Sequence, residues 1–216
     1  MYKLLLSLLV ILCLSISANA QFSKGNLLLG GTLSYGGNTS TNTGTEQSNH
    51  SGNFNITPGK AISDNSVFGI NLGYGFNNVN YSAGSGQGSS KSNTYSVGVF
   101  YRKYKTLGKD FFLFGSAGAG YNGSTWSSAD NFGNQTESGN SNGGYLNFYP
   151  GIDFRVSKRF LLEFSIPSLF YASYTSTQST SQNLNPPTTK GSQFGISTSI
   201  TSNPLYALGV GFVLVL

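Results

Sequence analysis

Long hydrophobic runs are missing from the chain beyond its first twenty residues. The longest uninterrupted apolar stretches there, such as Phe212 to Leu216, have the length of a strand. A helix that spans a membrane needs roughly 18–20 apolar residues, so none is expected. If this part of the chain enters a membrane, only a closed β-barrel can satisfy its backbone donors and acceptors.

Charge, cysteine and histidine are also scarce. Charged residues make up 9% of the chain and aromatic residues 14%, whereas disordered proteins are rich in charge and poor in aromatics. The basic residues form no block, so we expect no nucleic-acid partner. The only cysteine is Cys13 and the only histidine is His50. A disulfide framework and a zinc site of cysteines and histidines are therefore excluded.

The first twenty residues have the pattern of a signal peptide. Lys3 gives a basic start, Leu4 to Ile16 is an apolar run of the usual length, and Ala18-Asn19-Ala20 is an A-x-A-like cleavage pattern. The apolar run is too short for a membrane anchor. We predict that residues 1–20 are a signal peptide and that residues 21–216 form one domain.

Alternation with a period of two is the main signal in the rest of the chain. Between residues 67 and 76, every second position is apolar or aromatic, and the positions between are mostly Gly or Asn. Successive side chains of a strand point to opposite faces, so this segment predicts a strand with one apolar face. The same pattern recurs at 145–156, 160–174 and 206–216, and in weaker form at 27–36, 53–62, 95–104 and 110–121.

The phase of segment 110–121 stays open. Either Phe112 and Phe114 or Phe111 and Leu113 fit its apolar face. The final segment, 193–216, keeps one parity across Pro204, so we predict a single strand bent at that proline rather than two strands.

The predicted connections alternate between short and long. The short ones are Ser63-Asp64-Asn65, Leu107-Gly108-Lys109 and Ser157-Lys158-Arg159, and the long ones, rich in Ser, Thr, Asn and Gly, are about 37–52, 82–94, 122–144 and 175–192. Up-and-down outer-membrane barrels have short turns in the periplasm and long loops outside the cell. We therefore predict an all-β fold, an eight-stranded antiparallel up-and-down transmembrane β-barrel over residues 21–216.

Four stretches resemble the strands of a known family. They are residues 29–35 (LGGTLSY), 54–58 (FNITP), 111–115 (FFLFG) and 208–212 (LGVGF). With the alternation they make residues 21–216 similar to small outer-membrane β-barrel proteins of the porin-family or OmpX-like type. The resemblance implies a place in the cell outer membrane, with outer-membrane lipid and the outer-membrane assembly machinery as partners. This family commonly ends in an aromatic residue that resembles an assembly signal, whereas this chain ends Val213-Leu214-Val215-Leu216 after Phe212.

Charged residues fall on the predicted inner face of the barrel. They are Arg102, Asp153, Arg155 and Glu163. An eight-stranded barrel is just wide enough for side chains to fill, so we expect a plugged polar interior. We interpret the four as an ion network that bridges strands, since buried charges need partners. The alternative interpretation is a gate or a proton path.

Catalytic and metal motifs are weak. His50 lies in a predicted loop without a suitably placed serine and acid, and Asp130-Asn131 with Glu137 gives only a weak calcium candidate. The glycine-rich run before Lys91 lacks the spacing of a phosphate-binding loop. We predict no catalytic site, no metal site and no cofactor, so the protein is not expected to be an enzyme.

Basic and aromatic residues gather near the predicted strand ends. The basic ones near the short turns are Lys24, Lys60, Lys103, Lys105, Lys109, Lys158 and Arg159. They suit anionic headgroups or cell-wall polymer, or simply keep exposed turns soluble. The aromatics expected to form interfacial girdles are Tyr35, Tyr81, Tyr95, Tyr121, Trp126 and Tyr174 at the loop side and Phe68, Phe111, Phe154 and Phe160 at the turn side.

The leading functional hypothesis is a structural or surface-binding barrel that acts through its extracellular loops. A narrow porin-like channel for small solutes is the second hypothesis. The third is a soluble secreted barrel of lipocalin type, in which the apolar face would point inward. The loops carry no pattern that identifies an extracellular ligand.

Overall fold

The computed structural model describes residues 23–42, 45–83, 86–130, 132, 134–166, 169–181, 188–198 and 209–216. The predicted signal peptide and the predicted bend at Pro204 lie outside the described residues. In that part of the chain, no helix has the length and apolarity needed to cross a membrane.

The described chain folds into antiparallel strands. They are β1 (Leu27–Asn42), β2 (Thr45–Ser63), β3 (Ser66–Ala83), β4 (Gly86–Thr106), β5 (Phe111–Ala129), β6 (Gln135–Ser157), β7 (Phe160–Ser165), β8 (Phe170–Ser181), β9 (Thr188–Ser197) and β10 (Gly209–Val215). β7 and β8 both pair with β6. β9 pairs with β8, and β10 pairs with β7 and with β1. β7 and β8 thus lie one after the other along β6, and β10 and β9 lie one after the other along β7 and β8. The ten segments therefore form the eight strands of a closed barrel, which confirms the predicted fold.

Short turns close one end of the barrel, called the turn end below. Asp64-Asn65 joins β2 to β3, residues 107–110 join β4 to β5, and Lys158-Arg159 joins β6 to β7, as predicted. Asn65 has a φ of 63°, a left-handed conformation that asparagine tolerates better than most residues. The opposite end, where β1 leads to β2 and β3 leads to β4, is called the hairpin end.

The strands at the hairpin end are longer than the sequence predicts. Asn42 still pairs with Thr45, and Ala83 still pairs with Gly86, so most of the predicted loop residues belong to strands. The loop prediction is wrong there because a strand with polar side chains on both faces shows no hydrophobic period. About 9–11 tilted residues cross the hydrocarbon core, so strands of 16–23 residues, such as β1 and β6, extend well beyond it.

The strand predicted over 160–174 is interrupted. Ser165 pairs with Gly151, and Phe170 pairs with Phe148. Between these two pairs, the chain from β7 to β8 therefore has two more residues than β6. Residues 167 and 168, between the two segments, lie outside the described residues. An even insertion keeps the same side chains facing inward on both sides of the break.

The apolar face of the strands points outward, as predicted for a membrane barrel. On β3, Phe68, Ile70, Leu72 and Tyr74 are all exposed. The lipocalin-like alternative requires this face to point inward, and it is therefore wrong. Trp126 departs from the predicted girdle because its parity on β5 is that of Asn122, which lines the interior.

The structure also resolves the phase of β5. Phe111 and Leu113 are exposed on the outer face, whereas Phe112 and Phe114 are 0% and 2% exposed inside the barrel. Both faces of this segment are apolar, so alternation alone left the choice open.

Aromatic rings lie over glycines directly opposite them on neighbouring strands. The pairs are Phe212 over Gly31, Phe76 over Gly52, Tyr95 over Gly123, Trp126 over Gly139 and Phe114 over Gly151. In each pair, a β-carbon on the glycine would collide with the ring. These glycines therefore make room for rings that cover the backbone of the sheet.

Candidate functional site

Buried side chains fill the barrel interior near the turn end. This layer, called the plug below, consists of Leu28, Ala61, Val67, Phe100, Tyr104, Phe112, Phe114, Leu161 and Val213. Phe112 and Leu161 have no exposed surface. The predicted polar plug is therefore an apolar and aromatic layer at this end, with charged groups packed into it.

A buried ion pair crosses the interior next to the plug. Nη1 of Arg102, on β4, lies 2.6 Å from Oε2 of Glu163, on β7. The same guanidinium donates through Nη2 to the Tyr149 hydroxyl at 3.0 Å and through Nη1 to the Tyr104 hydroxyl at 3.3 Å. A buried ion pair is tolerated only when such additional hydrogen bonds accompany it. One guanidinium thus ties β4 to β6 and β7, two strands with which β4 does not pair.

Aromatic rings surround the charge of Arg102. Its Cζ lies 4.1 Å from the centre of the Phe114 ring and 5.7 Å from that of Phe100. A guanidinium over a ring face gains electrostatic attraction, and more so when water is excluded. A lysine ammonium could not stack flat on the Phe114 ring, and it lacks the fixed set of donors with which the guanidinium reaches separate partners. Arginine therefore suits this position.

Two further predicted residues lie nearby. Asp153 has no exposed surface and lies within electrostatic reach of Arg102, Tyr104 and Glu163. Arg155 is half-buried, with its Cζ 4.7 Å from the centre of the Phe112 ring. The structure therefore brings Arg102, Asp153 and Glu163 together, whereas Arg155 packs against the plug.

A polar cavity lies on the hairpin side of the ion pair. It has a volume of about 550 Å³ and includes Arg102, Tyr149 and Glu163 in its lining. A neighbouring cavity of about 390 Å³ shares Asn53, Asn55, Asn71 and Asn147 with it. The interior is thus apolar at the turn end and is lined by asparagine amides on the hairpin side of Arg102.

The sequence also held a signal for the residues that surround the ion pair. Tyr104 has the parity of Arg102 on β4, and Tyr149 has the parity of Asp153 on β6. Alternation therefore placed them inside the barrel, but it did not show which of them contact the guanidinium. Phe114 was missed because its phase was ambiguous.

The weak loop motifs are explained by local structure. Asp130 Oδ1 accepts hydrogen bonds from the backbone N–H groups of Phe132 and Asn134, both at 2.9 Å, and thereby holds the tip of a hairpin. His50 lies with Nδ1 3.5 Å from the Tyr35 hydroxyl. Within the described ranges, no three His, Cys, Asp or Glu side chains come close enough together to hold a metal ion.

Several solved outer-membrane proteins are similar to this chain. Outer membrane protein OprG from Pseudomonas aeruginosa has a TM-score of 0.48 at 10% identity, covering 90% of this chain and 97% of its own. A major outer membrane protein from Thermus thermophilus has a TM-score of 0.44 at 11% identity, covering 89% and 99%. Neisserial surface protein A has a TM-score of 0.38 at 14% identity, covering 88% and 97%. No curated protein matches the chain.

A family model carries the assignment. The model described as outer membrane protein beta-barrel domain matches residues 6–199, most of the chain. Together with the closed barrel and its apolar outer face, this match confirms the resemblance seen in the sequence and the outer-membrane localisation. The chain belongs to the outer membrane protein beta-barrel domain family and is an outer-membrane protein embedded in lipid.

Proposed function

We propose that this protein is a plugged, non-conducting barrel whose structural or binding role is exercised at the cell surface by its extended hairpins. The plug is the observation that carries the proposal. Phe112 and Leu161 are fully buried within it, and Phe114 and Val213 are each 2% exposed. An eight-stranded barrel filled in this way offers no water path to the turn end.

The hairpin end supports a role at the surface. Its strands are rich in Ser, Thr and Asn, and their hydroxyl groups pair across strands, as between Ser124 and Ser141 at 2.7 Å and between Ser179 and Thr189 at 2.9 Å. Such hairpins present a surface with many hydrogen-bonding groups and a net charge close to zero. In barrels of this class the short turns face the periplasm and the longer connections face outward. The proposal adopts this orientation and assigns the protein no enzymatic role and no cofactor.

Insertion by the outer-membrane assembly machinery belongs to the same proposal. Phe212, on the last strand, is exposed on the outer face and stacks on Phe160 with their ring centres 6.4 Å apart. We assign Phe212 as the aromatic residue that the assembly machinery reads.

Conductance of the refolded protein in a planar bilayer tests the plug. We expect no current across the bilayer, while heat-dependent gel mobility shows that the barrel is folded. Discrete, reproducible current steps would overturn the proposal and favour the second candidate, a narrow channel. The amide-lined cavity above Arg102 is the observation that favours that candidate.

Cysteine labelling tests the orientation. The only natural cysteine precedes the predicted cleavage site, so single cysteines can be introduced at Gln87, exposed near the hairpin end, and at Lys109, exposed in a short turn. A maleimide that cannot cross membranes should label Gln87→Cys on intact cells and Lys109→Cys only after the outer membrane is opened. The reverse pattern would show that the hairpins face the periplasm.

A further inference from the structure

Exposed positive charge is concentrated at the turn end of the barrel. The exposed cations there are Lys24, Lys60, Lys103, Lys105, Lys109, Lys158 and Arg159, against the acids Asp64 and Asp110. The hairpin side has Lys91 and Lys190 with Glu46, Asp130 and Glu137. Since the interior charges balance one another, the net positive charge of the barrel lies at the turn end.

Some of these lysines continue the lipid-facing stripes of their strands. On β4 the outward positions are Tyr95, Val97, Val99 and Tyr101, followed by Lys103 and Lys105. On β2 they are Phe54, Ile56 and Pro58, followed by Lys60 and then Ile62. Lys60, Lys103 and Lys105, called the lysine belt below, therefore stand among the last apolar side chains of the outer surface at the turn end, such as Ile62 and Phe111.

The belt lies directly beside membrane-facing side chains. Lys60 is the cross-strand partner of Phe68, and Lys105 is the partner of Leu113. Phe68 and Leu113 are both exposed on the outer face. A lysine in such a position lays its aliphatic stem along apolar surface and extends its ammonium into the headgroup layer.

No acidic side chain of the described part of the chain neutralises the belt. The single ion pair found there joins Arg102 to Glu163 inside the barrel. Asp64, at the turn end, accepts a hydrogen bond from the backbone N–H of Lys24 at 3.2 Å. The belt ammonium groups are therefore available to an anion supplied by the surroundings.

We propose that the lysine belt binds the phosphate groups of anionic phospholipids in the leaflet next to the turn end. Its outward direction at the membrane boundary favours a lipid headgroup over cell-wall polymer, which the turn residues Lys109, Lys158 and Arg159 are better placed to meet. Each lysine or arginine near an anionic lipid surface strengthens the binding constant for that surface about fivefold. The choice of phospholipid rests on the proposed orientation, in which the turn end lies in the periplasm.

Lipid retention measured by native mass spectrometry tests this proposal. The refolded full-length mature chain is placed in nanodiscs of equal parts phosphatidylcholine and phosphatidylglycerol with the same acyl chains. We expect the protein to retain phosphatidylglycerol preferentially, and the triple variant Lys60→Gln/Lys103→Gln/Lys105→Gln to lose this preference by about fivefold or more. Added salt should weaken the preference of the native chain. Heat-dependent gel mobility confirms that each variant is folded.

Two sets of substitutions of similar size act as controls. Lys91→Gln/Lys190→Gln removes exposed cations at the hairpin side, and Lys109→Gln/Lys158→Gln/Arg159→Gln removes them from the turns. Both should retain phosphatidylglycerol as the native chain does. Native-like retention by the belt variant, or an equal loss in either control, would overturn the proposal.

Two competing anions complete the test. If the belt variant loses binding to purified peptidoglycan sacculi but keeps its lipid preference, the belt is a cell-wall contact and the proposal is wrong. Stronger retention of lipopolysaccharide than of phosphatidylglycerol would overturn the assignment to phospholipid. Retention in nanodiscs does not depend on orientation in the cell, so this result is separate from the cysteine-labelling result.

Discussion

Asp153 and Glu163 are direct cross-strand partners on the inner face of β6 and β7. Two carboxylates in this relation repel each other, and burial makes each costly unless a cation faces it. Arg102 supplies that cation from β4, with Nη1 2.6 Å from Oε2 of Glu163. The arginine is thus the counter-charge for a pair of acids on strands far from its own.

Replacing Arg102 should destabilise the barrel without opening it. Arg102→Ala leaves two buried carboxylates without their cation, and we expect the free energy of unfolding to fall by about 3–5 kcal/mol. Adding Glu163→Gln should recover part of the loss. Urea unfolding in lipid vesicles measures the stability, and planar-bilayer conductance measures permeability. Unchanged stability together with new conductance would identify the cluster as a gate instead.

Neighbouring substitutions on β5 should separate the plug from the lipid face. Phe112→Ala/Phe114→Ala removes two buried rings and should destabilise the barrel by several kcal/mol, since a buried Phe→Ala change costs about 3–5 kcal/mol. It should also admit small ions, seen as current across a planar bilayer. Phe111→Ala/Leu113→Ala, on the outer face of the same strand, should give no current. If Phe112→Ala/Phe114→Ala folds and gives no current, other side chains close the interior.

The two faces of β3 should respond differently to a new charge. Leu72 is exposed to lipid, whereas its neighbour Asn71 lines the polar cavity. A lysine on the lipid face near the bilayer centre costs about 2–4 kcal/mol. Leu72→Lys should therefore be destabilising, and Asn71→Lys should cost much less. Equal effects in urea unfolding would contradict the assignment of these faces.

A methyl group at Gly151 should be poorly tolerated. A β-carbon there would meet the Phe114 ring and the backbone oxygen of Phe164, whereas one at Gly191 would meet nothing within 4 Å. Overpacking of this kind costs about 1–3 kcal/mol. Gly151→Ala should thus lower the urea midpoint, while Gly191→Ala should leave it nearly unchanged. If both variants unfold like the native chain, the ring over Gly151 moves freely.

The sequence by itself determined which side chains share a face of each regular strand. A period of two is a local property, so it places Phe68, Ile70 and Leu72 on one face without knowledge of any partner. The structure shows that this face points outward. The same parity placed Arg102 and Glu163 on the opposite face of their strands. Asp64-Asn65 similarly marked a tight turn, because asparagine accepts a positive φ at little cost.

Only the tertiary structure decided what alternation leaves undetermined. Both phases of β5 are apolar, and Phe112 turns inward where the plug requires its volume. The polar hairpins continue as strands because backbone hydrogen bonds need an adjacent strand and not an apolar face. The contact between Arg102 and Glu163 joins residues 61 positions apart. Closure of the sheet and its stagger set that distance, and neither can be read from a single strand.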